Sequence, residues 1–345
     1  MIVLRRARIA LAVSPLACST SEGAPADATS TGASVSTSQG DDVGASSSAA
    51  HDSTTQTSAD TSTGDAGTST STTVAGTSTT TGDPLDENGC PADAPPSWIA
   101  CESFDAITDA PTQLSQWNVN GDGFAIESGA GVDAGQALRV RLQPEIMFGG
   151  WVTLRFGDGP DAPSIDSPDG RWDELWLRYR LRTGADWPGR QIGDVGELIA
   201  MNGANWGIAA DLNLQGDGGM RVHPFGWTCI FDGVQVCDGM NDWTSGVVPI
   251  WNTAGTTQVF DATHAGTWQC FEAHLRLNTP GQSDGEAHVW IDDVLEVEQL
   301  GIDWRGTWDD FGINAVRFTN YADPVDAPLD FFVDDVVVAT TRVGC

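Results

Sequence analysis

After Trp98 the chain is built of short runs in which apolar and polar residues alternate, and clusters of Gly, Pro, Asn and Asp separate the runs. The alternation is clear in QALRVRL (136–142), GWVTLRF (150–156), DELWLRYRLR (173–182), GIAADLNL (207–214) and GMRVHPF (219–225). It continues in QCFEAHLRLN (269–278), EAHVWIDD (286–293), AVRFTNYA (315–322) and DFFVDDVVVAT (330–340). A period of two is the pattern of strands with one buried face, and nowhere do apolar residues hold helical spacing for three turns. The predicted class is all-β, a two-sheet sandwich of jelly-roll type. No blade-length repeat is visible, which counts against a propeller.

Because successive side chains point to opposite faces, the alternation also orients each strand. Leu175, Leu177, Tyr179 and Leu181 are predicted to face the core, with Glu174, Trp176, Arg178, Arg180 and Arg182 outward. Phe271, Ala273, Leu275 and Leu277 are likewise inward, and Cys270, Glu272, His274 and Arg276 outward. Trp151, Thr153 and Arg155 share one face, as do Arg317, Thr319 and Tyr321. A plain wet face carries few large aromatics, so Trp beside Arg has the composition of a sugar groove. For any single strand a solvent-facing hydrogen-bonding row explains the same residues.

Composition divides the chain unevenly. All 14 Trp lie from Trp98 onward, whereas residues 19 to about 88 are nearly all Ser, Thr, Gly, Ala and Asp. Such a segment buries too little apolar surface to offset the entropy of ordering, so it reads as a disordered stalk. The expected organisation is a signal peptide at 1–17, a Ser/Thr-rich linker at 18–88 and one folded domain at 89–345. The leader has Arg5, Arg6 and Arg8 before a short apolar run, as a secretion signal does. Cys18 follows Leu16 and Ala17 and so resembles the lipid-attachment cysteine of bacterial lipoproteins, although Pro15 departs from the usual aliphatic residue. The implied location is secreted or tethered to an outer surface, with a membrane contact only through that lipid.

Six cysteines remain: Cys90, Cys101, Cys229, Cys237, Cys270 and Cys345. Sequence neighbours suggest Cys90 with Cys101 and Cys229 with Cys237, leaving Cys270 for Cys345. Three disulfides imply an oxidising compartment. The net charge of −32, or −35 without the three leader arginines, repels polyanions and argues against a nucleic-acid partner. The chain is expected to act as a monomer on an extracellular polysaccharide.

The stretch GTWQCFEAHLRLNTPGQSDGEAHVWIDDVLEVE, with DELWLRYRLRTGADW upstream and FFVDDVVVATTRVGC at the end, resembles the polysaccharide-lyase-like, concanavalin A-like jelly rolls of secreted proteins. The resemblance covers most of 98–345 and implies a curved sandwich whose concave sheet meets a polysaccharide. It also implies β-elimination on a uronate, in which an Arg neutralises the carboxylate while a base and an acid move protons. Arg178, Arg180 and Arg276 are the candidate neutralisers, His274 or His223 the base and Tyr321 the acid. Trp151, Arg155, Trp176, Glu272, Trp290 and Arg317 are the candidate substrate contacts. The chain has no Lys, which departs from the usual make-up of such sites.

Three other functions stay open on the same residues. A glycoside hydrolase needs two carboxylates flanking the bond, and the E-x-D-x-x-E strand of glucanases with this fold is missing. A binding module needs only stacked aromatics and hydrogen bonds. An adhesive or structural protein is suggested only by the stalk. No cofactor is required by any of these readings. The terminal strands resemble those of sugar-binding jelly rolls that share a structural calcium, for which Glu102, Asp105 and Asp334 are the candidate ligands.

Overall fold

The computed structural model describes residues 89–107, 117–121, 123–159, 170–202, 207–236 and 248–345. The leader, Cys18, the Ser/Thr-rich linker up to residue 88 and Cys237 lie outside the described residues. The strands are β1 (Trp98–Glu102), β2 (Trp117–Asn120), β3 (Phe124–Ser128), β4 (Gln136–Leu142), β5 (Phe148–Arg155) and β6 (Glu174–Thr183). They continue as β7 (Asp194–Asn202), β8 (Gly207–Gly216), β9 (Val222–Thr228), β10 (Ile230–Phe231), β11 (Val234–Gln235) and β12 (Val248–Asn252). The last are β13 (Gln269–Arg276), β14 (Gly285–Ile291), β15 (Val294–Ile302), β16 (Ala315–Tyr321) and β17 (Leu329–Ala339).

Among the described residues these form two large antiparallel sheets, as the alternation predicts. The first runs β15-β14-β13-β6-β17-β4-β3, with β1 also on β17, and the second runs β12-β9-β8-β7-β16-β5-β2. Strands distant in sequence sit side by side, β6 with both β13 and β17, and β16 between β5 and β7. Chain order therefore does not reveal which sheet a strand joins.

The inward positions meet between the sheets. Leu175, Leu177, Tyr179, Leu181, Phe271, Ala273 and Leu275 of the first sheet are buried in one cluster with Val152, Leu154, Leu198, Leu212, Leu214, Val316 and Phe318 of the second. Tyr179 ties the layers together: its ring stacks on Phe271 at 5.4 Å and meets Phe318 edge-on at 5.2 Å. Gly196 lets the Tyr179 ring approach β7, because a Cβ there would lie 2.6 Å from the Tyr179 hydroxyl. The disulfides Cys90–Cys101 and Cys270–Cys345 are both formed. Cys229 is disulfide-bonded as well.

Candidate functional site

The sandwich has two outer faces, and the predicted site residues divide between them. On the first sheet the register sets Trp176, His274 and His288 in one line and Arg178, Glu272 and Trp290 in another. The second line is covered. Glu272 is fully buried beneath the C-terminal residues, accepting from Val343 N at 2.7 Å, Gly344 N at 3.2 Å and Arg342 Nε at 3.0 Å. The Arg342 guanidinium lies 4.6 Å over the Trp290 ring. Expected as substrate contacts, Glu272 and Trp290 instead hold the chain terminus. Arg178 and Arg180 both face Asp335, at 4.0 and 3.5 Å, and Arg276 pairs with Glu286. The three candidate neutralisers thus already have carboxylate partners. Trp176 stacks on His274 at 4.2 Å.

The outer face of the second sheet is different in kind. One register line crosses it through Thr153, Arg317, Glu197, Asn213, Phe225 and Asn252. Asp211 lies beside this line opposite Trp227, and Gln215 opposite His223. Arg317 donates through Nε to Glu197 Oε1 at 2.8 Å and through its second nitrogen to Oε2, while Thr319 Oγ1 donates to Oε1 at 2.7 Å. Asp211 Oδ2 is 3.8 Å from the same guanidinium. Thr153, Glu197, Asp211, Asn213, Arg317 and Thr319 are all buried. Yet Thr153 Oγ1, Asp194 Oδ1, Asp211 Oδ1, Asn213 Oδ1 and Arg317 NH1 have no hydrogen-bond partner among the described residues. Buried polar atoms are normally satisfied, so five orphans on one face mark where a ligand or water completes the network. Aromatic rings flank them: Phe225 lies 4.6 Å from His223 and stacks on Trp227 at 5.4 Å, and Trp151 sits 5.4 Å from Phe148.

Of the predicted residues, this face gathers Trp151, Arg155, His223, Arg317 and Tyr321. It does not gather His274, which points out from the other sheet, so His274 and Tyr321 share no site. His223 on β9 is three strand spacings from Tyr321 on β16, about 14 Å, too far for a joint proton transfer. The central acids Asp194, Glu197 and Asp211 were not among the sequence candidates. Asp211, Asn213 and Gln215 were readable as the polar half of ADLNLQ, but β7 gave no signal, since its outward residues Glu197, Ile199 and Met201 mix acid with apolar side chains.

The acids differ in protonation. Burial raises Asp194 from 3.8 to about 6, against the opposing pull of Arg317, Asn213 and Gln215. Burial, then the Asp194 charge, pushes Asp211 well above the usual carboxylate range. Burial, followed by Asp194 and Asp323, raises Tyr321 and keeps its phenol protonated. An acid whose folded pKa exceeds its unfolded value keeps a proton that the unfolded chain has lost. Its stabilising effect is present at low pH and is lost as pH rises from about 4 to about 6. For Asp194 this is worth at most about 3 kcal/mol, and less because the residue as a whole is only partly buried. Asp194→Asn is therefore expected to gain stability relative to the wild type as pH rises through that window. Urea midpoints of both proteins at acid and neutral pH check this, and a pH-independent difference would contradict it.

The calcium candidates come together only in part. Glu102 Oε1 accepts from Phe104 N at 2.7 Å, and Asp105 Oδ1 from Gln136 N at 2.7 Å. Asp334 accepts from Val132 N and Asp335 N, both at 2.8 Å. Burial, then Asp335, raises Asp334 to about 8, with Asp105 adding to the effect. The carbonyl oxygens of Phe104, Asp105 and Ile107 all face Gln136 Nε2, at 2.8 to 3.2 Å. A side-chain amide thus occupies the place where these carbonyls would meet a cation, and the set does not fit a calcium cage of free oxygens.

No family model matches the chain, and no curated protein matches it. Solved structures to which it is similar include an alginate lyase from a Chlorella virus, at 12% identity and a TM-score of 0.48, covering 71% of this chain and 100% of that one. An alginate lyase from Aplysia kurodai is similar at 14% identity and a TM-score of 0.47, with 71% and 99% covered. An endo-β-1,4-glucuronan lyase from Trichoderma reesei is similar at 13% identity and a TM-score of 0.43, with 71% and 96% covered.

Proposed function

We propose that the chain is an extracytoplasmic protein, tethered through Cys18, that binds a neutral polysaccharide on the outer face of the second sheet. The observation that carries this reading is the line of buried polar side chains with orphaned atoms, flanked by aromatic rings. The orphans include acceptors, on Asp211 and Asn213, and donors, on Arg317 and Thr153. Sugar hydroxyls both donate and accept, so one ligand class answers both kinds. Phe225 and Trp151 supply apolar surface for sugar-ring faces. Seven strands give a face about 29 Å across, the extent of a chain rather than a single sugar. The disulfides support an oxidising compartment.

A uronate polymer suits the face less well. Arg317 is the one cation at its centre among the described residues, and it is bonded to Glu197. The chain's net charge of −32 adds long-range repulsion. Neither candidate base, His274 on the other sheet nor His223 about 14 Å away, reaches Tyr321, the candidate acid, so β-elimination is the weaker reading. Hydrolysis is the second reading, favoured by one specific observation: burial pushes Asp211 well above the usual carboxylate range beside a Glu197 paired with Arg317, and an acid and a carboxylate are what that reaction needs.

The test is retention of the full chain on insoluble neutral and uronate polysaccharides, with assays for reducing ends and for the near-ultraviolet absorbance of unsaturated products. Retention on a neutral glycan without products is the expected result. Phe225→Ala should weaken that retention about tenfold, the loss of about 1.4 kcal/mol of ring contact, with the thermal midpoint little changed. New reducing ends without absorbance would favour hydrolysis. Absorbance on a uronate polymer would overturn the proposal in favour of a lyase.

A further inference from the structure

The outer face of the first sheet holds a group of side chains that the polysaccharide reading does not use. His274 and His288 are cross-strand partners on β13 and β14, with rings stacked 5.1 Å apart. His274 Nε2 is 2.9 Å from Glu174 Oε1, and His288 Nε2 is 3.4 Å from Glu298 Oε1. A carboxylate only accepts, so His274 Nε2 carries that ring's proton. His274 Nδ1 then carries a lone pair, and it faces His288 Nδ1 at 2.9 Å. The two nitrogens lie close enough together to share one cation.

His274 is only 4% exposed, so the pair sits at the edge of the sheet's packed surface and not in open solvent. The remaining geometry suits a metal. A ligand oxygen of Glu286 and the two imidazole nitrogens all lie within 4.8 Å of one another. Around a tetrahedral ion at normal Zn–N distances two nitrogens sit about 3.3 Å apart, a few tenths of an ångström from the separation here. An imidazole that binds metal characteristically donates its other N–H to a carboxylate, which fixes the tautomer and ring orientation. His274 has that carboxylate in Glu174, Glu298 lies 3.4 Å from His288 Nε2, and Trp176 stacked at 4.2 Å fixes the His274 plane. Glu174, Glu286 and Glu298 against Arg276 leave two negative charges, which a divalent ion neutralises.

We propose that His274, His288 and Glu286 bind a divalent cation of the zinc type, with Glu174 and Glu298 orienting the two imidazoles from behind. Two nitrogens and one carboxylate oxygen match borderline metals rather than calcium, and they leave a fourth position for water. The site lies on the sheet opposite the glycan face and does not depend on that reading.

The test uses the untagged full chain, stripped with chelator and titrated with Zn²⁺ alone by calorimetry, with Co²⁺ absorption reporting coordination geometry. One tight equivalent is expected, with a tetrahedral cobalt spectrum and a higher thermal midpoint in zinc. His288→Gln, at a partly exposed position, should weaken binding about a hundredfold and abolish the midpoint rise, with near-ultraviolet dichroism confirming that it folds. Glu174→Gln, which touches no metal, should weaken binding about tenfold to a hundredfold. Absence of saturable zinc binding by the folded wild type would overturn the proposal. So would zinc binding unchanged in folded His288→Gln, or selective binding of Ca²⁺ over Zn²⁺.

Discussion

Arg317→Met is expected to lower stability by about 3–5 kcal/mol, since it strips the cation from a carboxylate that has no access to water. Glu197 is 0% exposed and would keep only the Thr319 hydroxyl as donor among its present partners. Asp211 and Asp194 would lose the same positive charge. The pH dependence separates this mechanism from a simple loss of packing. Without Arg317 the folded-state pKa of Glu197 rises above its unfolded value, so the variant recovers stability as pH falls and loses it as pH rises. The double variant Arg317→Met with Glu197→Gln replaces the bare charge by a neutral amide and should recover part of the loss, giving a coupling of about 2 kcal/mol. Urea titrations of the four proteins at two pH values provide the check. A single variant within 1 kcal/mol of wild type at every pH would mean that water or another cation reaches Glu197, and would weaken the case for a dry polar floor beneath the glycan.

Cys345→Ser is expected to have the second large effect. The Cys270–Cys345 bridge spans 75 residues and Cys90–Cys101 spans 11. Loop-closure entropy assigns them about 4.5 and about 2.8 kcal/mol. Opening the longer one also frees the terminal residues that cover the first sheet. Val343 N, Gly344 N and Arg342 would let go of Glu272, and the Arg342 guanidinium would leave the Trp290 ring. The variant should therefore show a lower urea midpoint than Cys101→Ser and faster amide exchange in β13 and β14. Equal losses in the two variants, with β13 still protected, would show that the terminal segment stays docked without its disulfide. Removal of this cover also brings the His274–His288 pair closer to solvent, so zinc affinity in Cys345→Ser measures how far the terminus supports that site.

Much of the fold was legible along the chain. The period of two located nine strands and turned Tyr179 inward, and the spacing of the cysteines paired Cys90 with Cys101 and Cys270 with Cys345. It also singled out His274 as unusual. These features depend on neighbours in sequence, because the pleat alone decides which side chains share a face. The alternation could not reveal β7, whose outward positions Glu197, Ile199 and Met201 are not uniformly polar, and so the acids at the centre of the second sheet stayed hidden.

The sequence by itself determined an all-β sandwich, the inward side of most strands and the likeness of its outward residues to a sugar-contacting surface. Only the tertiary structure decided which outward residues meet. Parity orients a residue within its own strand, but its side of the sandwich depends on the sheet that strand joins, and long-range pairing sets that choice. Pairing of β6 with β13 and β17 carried Arg178, Glu272 and His274 to one outer face. Pairing of β16 with β5 and β7 carried Arg317 and Tyr321 to the other, where Glu197 and Asp211 joined them. Burial then fixed their chemistry, because the charge state of a carboxyl depends on the water and cations around it, and those arrive only when the sheets close.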